Sequence, residues 1–169
     1  MIEEINHLPK IYLGPGEFYL SKEPEVVVTV LGSCIAIIMQ NSAKKICAVS
    51  HCVMPDHETY SNDKPGDSKY KYVDRAIHQM IKVLNKAELE KNEITVKLFG
   101  GSEQLNEKRK NVSIGKQNVL TAIDILFEEG LSIVASDVGG NEGRKIFIST
   151  QTGDVYLSRL GKLSNNKNE

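Results

Sequence analysis

The chain has 169 residues, 21 Lys and Arg against 22 Asp and Glu, and a formal net charge of -1, with 40% of residues hydrophobic and 25% charged. That balance excludes a global electrostatic draw toward nucleic acid or an anionic membrane, and the length suits a single domain that needs neither disulfide nor metal to stand. The longest apolar stretch, Ile35 to Met39, is far too short to span a bilayer.

The first residues, Met1 to Leu8, carry two glutamates and short apolar pieces. This is the wrong layout for a secretory signal, so a cytoplasmic location is expected. The three cysteines at 34, 47 and 52 are then expected as free thiols, since an odd number in a reducing compartment argues against a disulfide framework. Strands are predicted at Ile11 to Leu13 and Glu17 to Leu20, split by Gly14-Pro15-Gly16. A third, Glu25 to Leu31, holds three consecutive valines and reads as a buried strand. Gly32-Ser33 punctuates it. Cys34 to Gln40 and Ile46 to Met54 flank the polar group Asn41 to Lys44 and read as a central β-hairpin.

His57 to Ser68 is polar, carries Pro65-Gly66 and reads as a loop. A helix is predicted from Asp67 or Ser68 to about Leu89, with Val73, Ile77, Met80, Ile81 and Leu84 at helical spacing. Ile94 to Phe99 alternates as a strand and ends in Gly100-Gly101. Ser102 to Asn111 reads as a loop. A second helix is predicted from about Lys116 to Glu129, with a stripe of Val119, Ala122, Ile123, Leu126 and Phe127 and Gly130 as its stop. Strands follow at Ser132 to Val138, Lys145 to Thr150 and Val155 to Leu160. The organisation expected is one domain over residues 1–161 and a polar tail over 162–169. Short turns between neighbouring strands imply mixed or antiparallel sheets, an α+β architecture rather than a doubly wound one.

Chemistry concentrates in the hairpin. A turn centred between Ser42 and Ala43 sets Cys34 directly opposite His51, and opposed residues share a face with Cβ atoms about 4.5–5.5 Å apart. A thiol beside an imidazole is a nucleophile with its base: the imidazolium favours the thiolate and then delivers a proton to a departing amine. Gly32 and Ser33 precede the thiol, where a glycine admits close backbone approach and free N–H groups can face an oxyanion. The plainer alternative is that Cys34 is core filler and His51 a satisfied structural histidine. A zinc site from Cys34, Cys47, His51 and Cys52 is disfavoured, because adjacent His51 and Cys52 point to opposite strand faces. The glycine-rich run Gly139-Gly140-x-x-Gly143-Arg144 is followed by a strand, so it reads as a tight connection and not a phosphate loop. His7, His57 and His78 have no evident partners.

Leu31-Gly32-Ser33-Cys34, then an apolar strand, then His51-Cys52-Val53-Met54-Pro55, resembles the signature of the CheD family of chemoreceptor glutamine deamidases. Lys97 to Gly101, Ile114-Gly115-x-x-Asn118, Asp137 to Lys145 and Thr152-Gly153 fit the family pattern in the same order. The chain departs from it at Ser50, where asparagine is common, at Cys52, where an aromatic is common, and at Ser102-Glu103-Gln104. The resemblance implies a layered α/β sandwich with two main helices on one side. It implies hydrolysis of receptor glutamines to glutamate with Cys34 as nucleophile, His51 as base and Thr29 as a third polar group, without cofactor or metal. It also implies two kinds of partner, the cytoplasmic helices of chemoreceptors and a CheC-type phosphatase, and it leaves open a mainly regulatory binding role.

Overall fold

The valine run forms the spine of the first of two sheets. The computed structural model describes residues 2–103 and 112–161; the sequence expectations for 104–111 and for the tail over 162–169 fall outside the described residues. Strand β3 (Val26–Leu31) lies between β1 (Lys10–Tyr12), parallel to it, and β8 (Gly143–Ser149), antiparallel, with β9 (Val155–Leu160) beyond β8. The second sheet has the order β2 (Phe18–Ser21), β5 (Ile46–Cys52), β4 (Ile35–Asn41), β6 (Thr95–Gly100), β7 (Ile133–Val138). Its pairs are antiparallel except β6–β7. The hairpin β4–β5 is therefore central, and the residues of β5 together with the first six of β4 are buried, which is why both runs are apolar on both faces.

Three apolar layers follow. Val27, Leu31, Ile146 and Ile148 of the first sheet meet Ala36, Ile38, Val49 and Phe99 of the second. The other face of the second sheet, with Ile35, Ile37, Met39 and Ala48, is covered by helix α2 (Val73–Lys86) and helix α3 (Ile114–Glu128). The outer face of the first sheet carries Val26 and Val28 under Ile5 and Leu8 of the amino-terminal segment. The expected α+β layering, with two main helices on one side, is what the chain adopts.

Local differences from the sequence expectation have local causes. Helix α2 starts at Val73 rather than at 67 or 68, because Ser68 caps a separate 3₁₀ turn over Lys69–Lys71. It stops before Leu89, because Glu88 takes a left-handed conformation at φ 61 while Leu89 N–H bonds the Leu84 carbonyl, a Schellman closure without the usual glycine. Within the predicted loop, His57–Tyr60 forms one helical turn, α1, capped by Asp56. On α3 the buried stripe is Gly115, Asn118, Val119, Ala122 and Leu126. Ile123 and Phe127, expected in the stripe, are exposed, Phe127 by 83%. No helix among the described residues is long and apolar enough to cross a membrane.

Candidate active site

The hairpin turn spans Ser42 to Lys45, with Lys45 left-handed at φ 55, its N–H bonding the Ser42 carbonyl, and Lys44 N–H bonding the Asn41 side chain. Its centre is therefore one residue later than the sequence suggests. The register pairs Ala36 with His51 and Ile35 with Cys52, so the expected direct opposition of Cys34 and His51 is corrected to a diagonal. The shift changes each residue's partner by two positions, so the face is unchanged: Cys34 and Ala36 pack in the layer between the sheets, with Cys47 and Val49 of β5, and His51 continues the alternation of the latter two. Cys52 lies on the other face, against the helices, which separates it from the rest of the disfavoured zinc set. Among the described residues no group of three or more His, Cys, Asp or Glu is placed to hold a metal.

His51 is held from three directions. Its backbone bonds Gly16 N–H at 2.8 Å and the Glu17 carbonyl at 3.0 Å. Its ring Nδ1 lies 2.8 Å from Thr29 Oγ1 across the interlayer space. Thr29 is on β3, opposite Ile146 of β8, and so points into the same layer. The Thr29 hydroxyl has one proton, and it is donated to the Leu13 carbonyl at 2.7 Å. Thr29 Oγ1 can then only accept from His51. This assigns the proton to Nδ1 and leaves Nε2 as a bare lone pair, buried and with no hydrogen-bond partner among the described residues. Burial also pulls the His51 pKa below its ordinary 6.5, against the opposing pull of the Leu13 carbonyl and the Glu17 charge. Burial and the Thr29 contact thus both favour the neutral imidazole with its proton on Nδ1.

Cys34 sits where the chain leaves β3 of one sheet and enters β4 of the other. It is half-buried, and burial pushes its thiol above 9.0. With the imidazole pulled down and the thiol pushed up, both shifts run toward the neutral forms and against the thiolate–imidazolium expected from sequence. Cys47 and Cys52 are fully buried, and burial pushes each to about 12, which suits inert core thiols.

The Gly32–Cys34 crossing is sewn to two other loops. Gly101 N–H bonds the Cys34 carbonyl and Ser102 N–H the Gly32 carbonyl, each at 2.9 Å. Beyond them, Gly139 N–H bonds the Gly100 carbonyl and Glu103 N–H the Gly140 carbonyl. Gly100 has φ +107, and a Cβ there would lie 2.3 Å from the Cys34 carbonyl oxygen, so only glycine permits this approach. The glycine-rich connection after β7 is tied in by Arg144, which is 1% exposed. Its Nη2 donates to the Gly139 carbonyl at 2.7 Å, and its Nε makes an ion pair with Asp137 at 2.8 Å. Asn118 of α3 donates to the Ser33 carbonyl at 2.9 Å and the Val53 carbonyl at 3.0 Å.

The structure thus brings Thr29 and His51 into contact and places Cys34 on the same interlayer face, with Gly32 and Ser33 leading into it. The Leu13 carbonyl that sets the tautomer has no side-chain signal in the sequence. Asn118 does have one: it is an amide on the buried stripe of an amphipathic helix.

Residues 53–159 match the family model described as CheD chemotactic sensory transduction. A protein of Geobacter sulfurreducens named as a probable chemoreceptor glutamine deamidase CheD is 39% identical over 155 residues, covering 92% of each chain. A relative of the same name from Maridesulfovibrio salexigens is 36% identical over 167 residues, covering 96% of this chain and 98% of its own. Another, from Methanococcus maripaludis, is 34% identical over 148 residues, covering 88% of this chain and 94% of its own. The family match begins two residues after His51, whereas a likeness over 92% of the chain takes in Thr29, Cys34 and His51 as well.

Proposed function

Because the chain belongs to the CheD family, we propose that it is a protein-glutamine deamidase acting in the cytoplasm on the helices of chemoreceptors, with Cys34 as nucleophile and His51 as base. The observation that carries this reading is the Leu13–Thr29–His51 relay, whose single hydroxyl proton leaves Nε2 unprotonated on the face that Cys34 shares. Such a relay orients the base and stabilises the imidazolium when it forms, the part a carboxylate plays in other triads.

In the first step Cys34 Sγ attacks the glutamine carboxamide carbon while its proton passes to His51 Nε2. The C–O bond becomes an oxyanion, for which the N–H groups of Ser33 and Cys34 are the nearest donors by sequence. Neither donates to another residue's oxygen among the described residues. The tetrahedral intermediate then re-forms the carbonyl and breaks the C–N bond as the imidazolium protonates the nitrogen, releasing ammonia. Water next attacks the thioester. His51 takes the water proton and returns it to Sγ, freeing glutamate and the thiol. The cycle consumes water alone and uses no cofactor.

Incubating receptor cytoplasmic fragments with the protein and with its Cys34→Ala variant tests this by mass spectrometry. A gain of about 1 Da at specific glutamines, the carboxamide-to-carboxylate exchange of this amide hydrolysis, is expected with the unaltered chain and absent with Cys34→Ala. Equal gain with both refutes it. A second reading, a binding role toward a CheC-type phosphatase beside catalysis, is favoured by the exposed apolar row Leu120, Ile123 and Phe127 on α3, since such rows mark protein contacts. Capture of that partner by Cys34→Ala but not by Phe127→Ser supports it, and no capture by either removes it.

A further inference from the structure

Asn118 is fully buried in α3, 85 positions along the chain from Ser33 and 65 from Val53. Its Nδ2 donates to both carbonyls, and both its amide hydrogens are spent on them. The carbonyls on either side of Ser33 have main-chain partners: Gly32 is held by Ser102 N–H and Cys34 by Gly101 N–H. The Ser33 carbonyl has Asn118.

A peptide unit is planar, so the Ser33 carbonyl and the Cys34 N–H are one rigid group. The unit is trans, there being no cis peptide bond among the described residues, so that N–H points away from the oxygen Asn118 holds. The second bond, to Val53, anchors the same amide to the strand end just past His51. The helix reaches this position because glycines lie on both sides of the contact: a Cβ on Gly115 of α3 would lie 2.3 Å from the Ser102 carbonyl oxygen, and one on Gly101, just past β6, 2.3 Å from Val119 Cγ2. The residue before Asn118, Gln117, accepts from the Tyr60 hydroxyl at 2.6 Å.

We infer that Asn118 is a positioning residue for the deamidation proposed above, acting through the Ser33–Cys34 peptide to aim the Cys34 N–H at the oxyanion. This rests on that reading of the site. Asn118 touches neither substrate nor thiol; its effect falls on the step in which negative charge develops on oxygen.

The test compares Asn118→Ala with Ser113→Ala, which removes the side-chain cap of the same helix, Ser113 accepting from Lys116 N–H. For Asn118→Ala, kcat for receptor-fragment deamidation falls by about 10²-fold, the scale of a lost oxyanion donor, with KM within threefold. Binding of a glutamine-like peptide aldehyde, which adds to Cys34 and places an oxyanion at the same point, weakens in parallel with kcat. Alkylation of Cys34 by iodoacetamide forms no oxyanion and stays within threefold. Ser113→Ala lowers Tm but keeps kcat and aldehyde affinity. If Asn118→Ala fails to fold, Asn118→Ser, whose hydroxyl serves one carbonyl at most, decides by the same three readouts. The inference is overturned if kcat stays within threefold of the unaltered chain, if alkylation falls as far as kcat, or if Ser113→Ala reproduces the loss. An unaltered chain that neither deamidates receptor fragments nor binds the aldehyde sinks the proposed function instead.

Discussion

Replacing Thr29 by valine probes the relay at its centre. The side chain is 2% exposed, and valine keeps its shape while removing one donor and one acceptor. The Leu13 carbonyl and the His51 Nδ1–H both lose the Thr29 hydroxyl, and at about 1–3 kcal/mol for each buried group left unpaired the folded state loses up to about 2–6 kcal/mol. Catalysis loses more than stability alone conveys. A hydrogen bond to an ionised group contributes about 1.5–3 kcal/mol, and since about 1.4 kcal/mol is tenfold in rate, loss of the Thr29 bond to the imidazolium predicts a fall in kcat/KM of about 10- to 150-fold. Without the Thr29 acceptor the ring proton is also held less firmly at Nδ1, where only the Leu13 carbonyl still draws it, and any population with the proton on Nε2 lacks the base. The assay is the rate of mass gain in a receptor fragment, measured well below the Tm of the variant, with Thr29→Ser as the companion that keeps the hydroxyl. A Thr29→Val protein that loses stability yet keeps kcat/KM within threefold refutes the idea that this bond prepares the base. One that keeps full stability refutes the hydrogen-bond accounting itself.

Because burial holds His51 below 6.5, the acid limb of kcat/KM has its midpoint below pH 6.5, and a limb centred above 6.5 contradicts the neutral-base assignment. The same group makes stability pH-dependent: below pH 6.5 the unfolded chain takes up a proton that the folded chain refuses, so thermal midpoints fall as pH drops from 6.5 through the folded pKa and level off beneath it. Iodoacetamide modifies Cys34 alone in the native protein, since Cys47 and Cys52 are buried and pushed to about 12. The alkylation rate climbs past pH 9.0 without a neutral plateau, as read by intact mass; a plateau below pH 8 means an ion pair at rest. Gly100→Ala costs at least about 3 kcal/mol by denaturant unfolding, combining a disallowed φ with a backbone clash. Gly139→Ala, left-handed but with open space around it, costs about 1–2 kcal/mol; equal losses would dismiss the close approach as the reason for Gly100.

The sequence speaks most clearly where burial is two-sided. The apolar runs of β3, β4 and β5 announce central strands, and Gly130 ends α3 through the Schellman closure expected of it, with φ 71 and Leu131 N–H on the Leu126 carbonyl. It is silent where one residue's backbone decides the register. Lys45 carries no turn signal, yet its left-handed φ displaces the hairpin centre and turns an opposed pair into a diagonal one. The stripe of α3 is misjudged for a related reason: Ile123 and Phe127 have the right spacing, but the helix faces the sheet through Gly115 and Asn118, whose small or polar side chains hydrophobic periodicity overlooks. Thr29 emerges only from the family resemblance, because its partners lie 16 and 22 positions away in the chain and nothing near it in the sequence hints at them.

The span between Ser33 and Asn118 also bears on how the protein is born. Synthesis delivers residues in order from the amino terminus, so Thr29, Cys34 and His51 leave the ribosome well before Asn118, which holds the Ser33 carbonyl. Until α3 has emerged, the Ser33 carbonyl lacks the Asn118 bond that holds it in the folded chain. Under the proposed roles, a product that ends before α3 lacks this clasp, and its deamidation rate is expected to fall at least as far as that of Asn118→Ala.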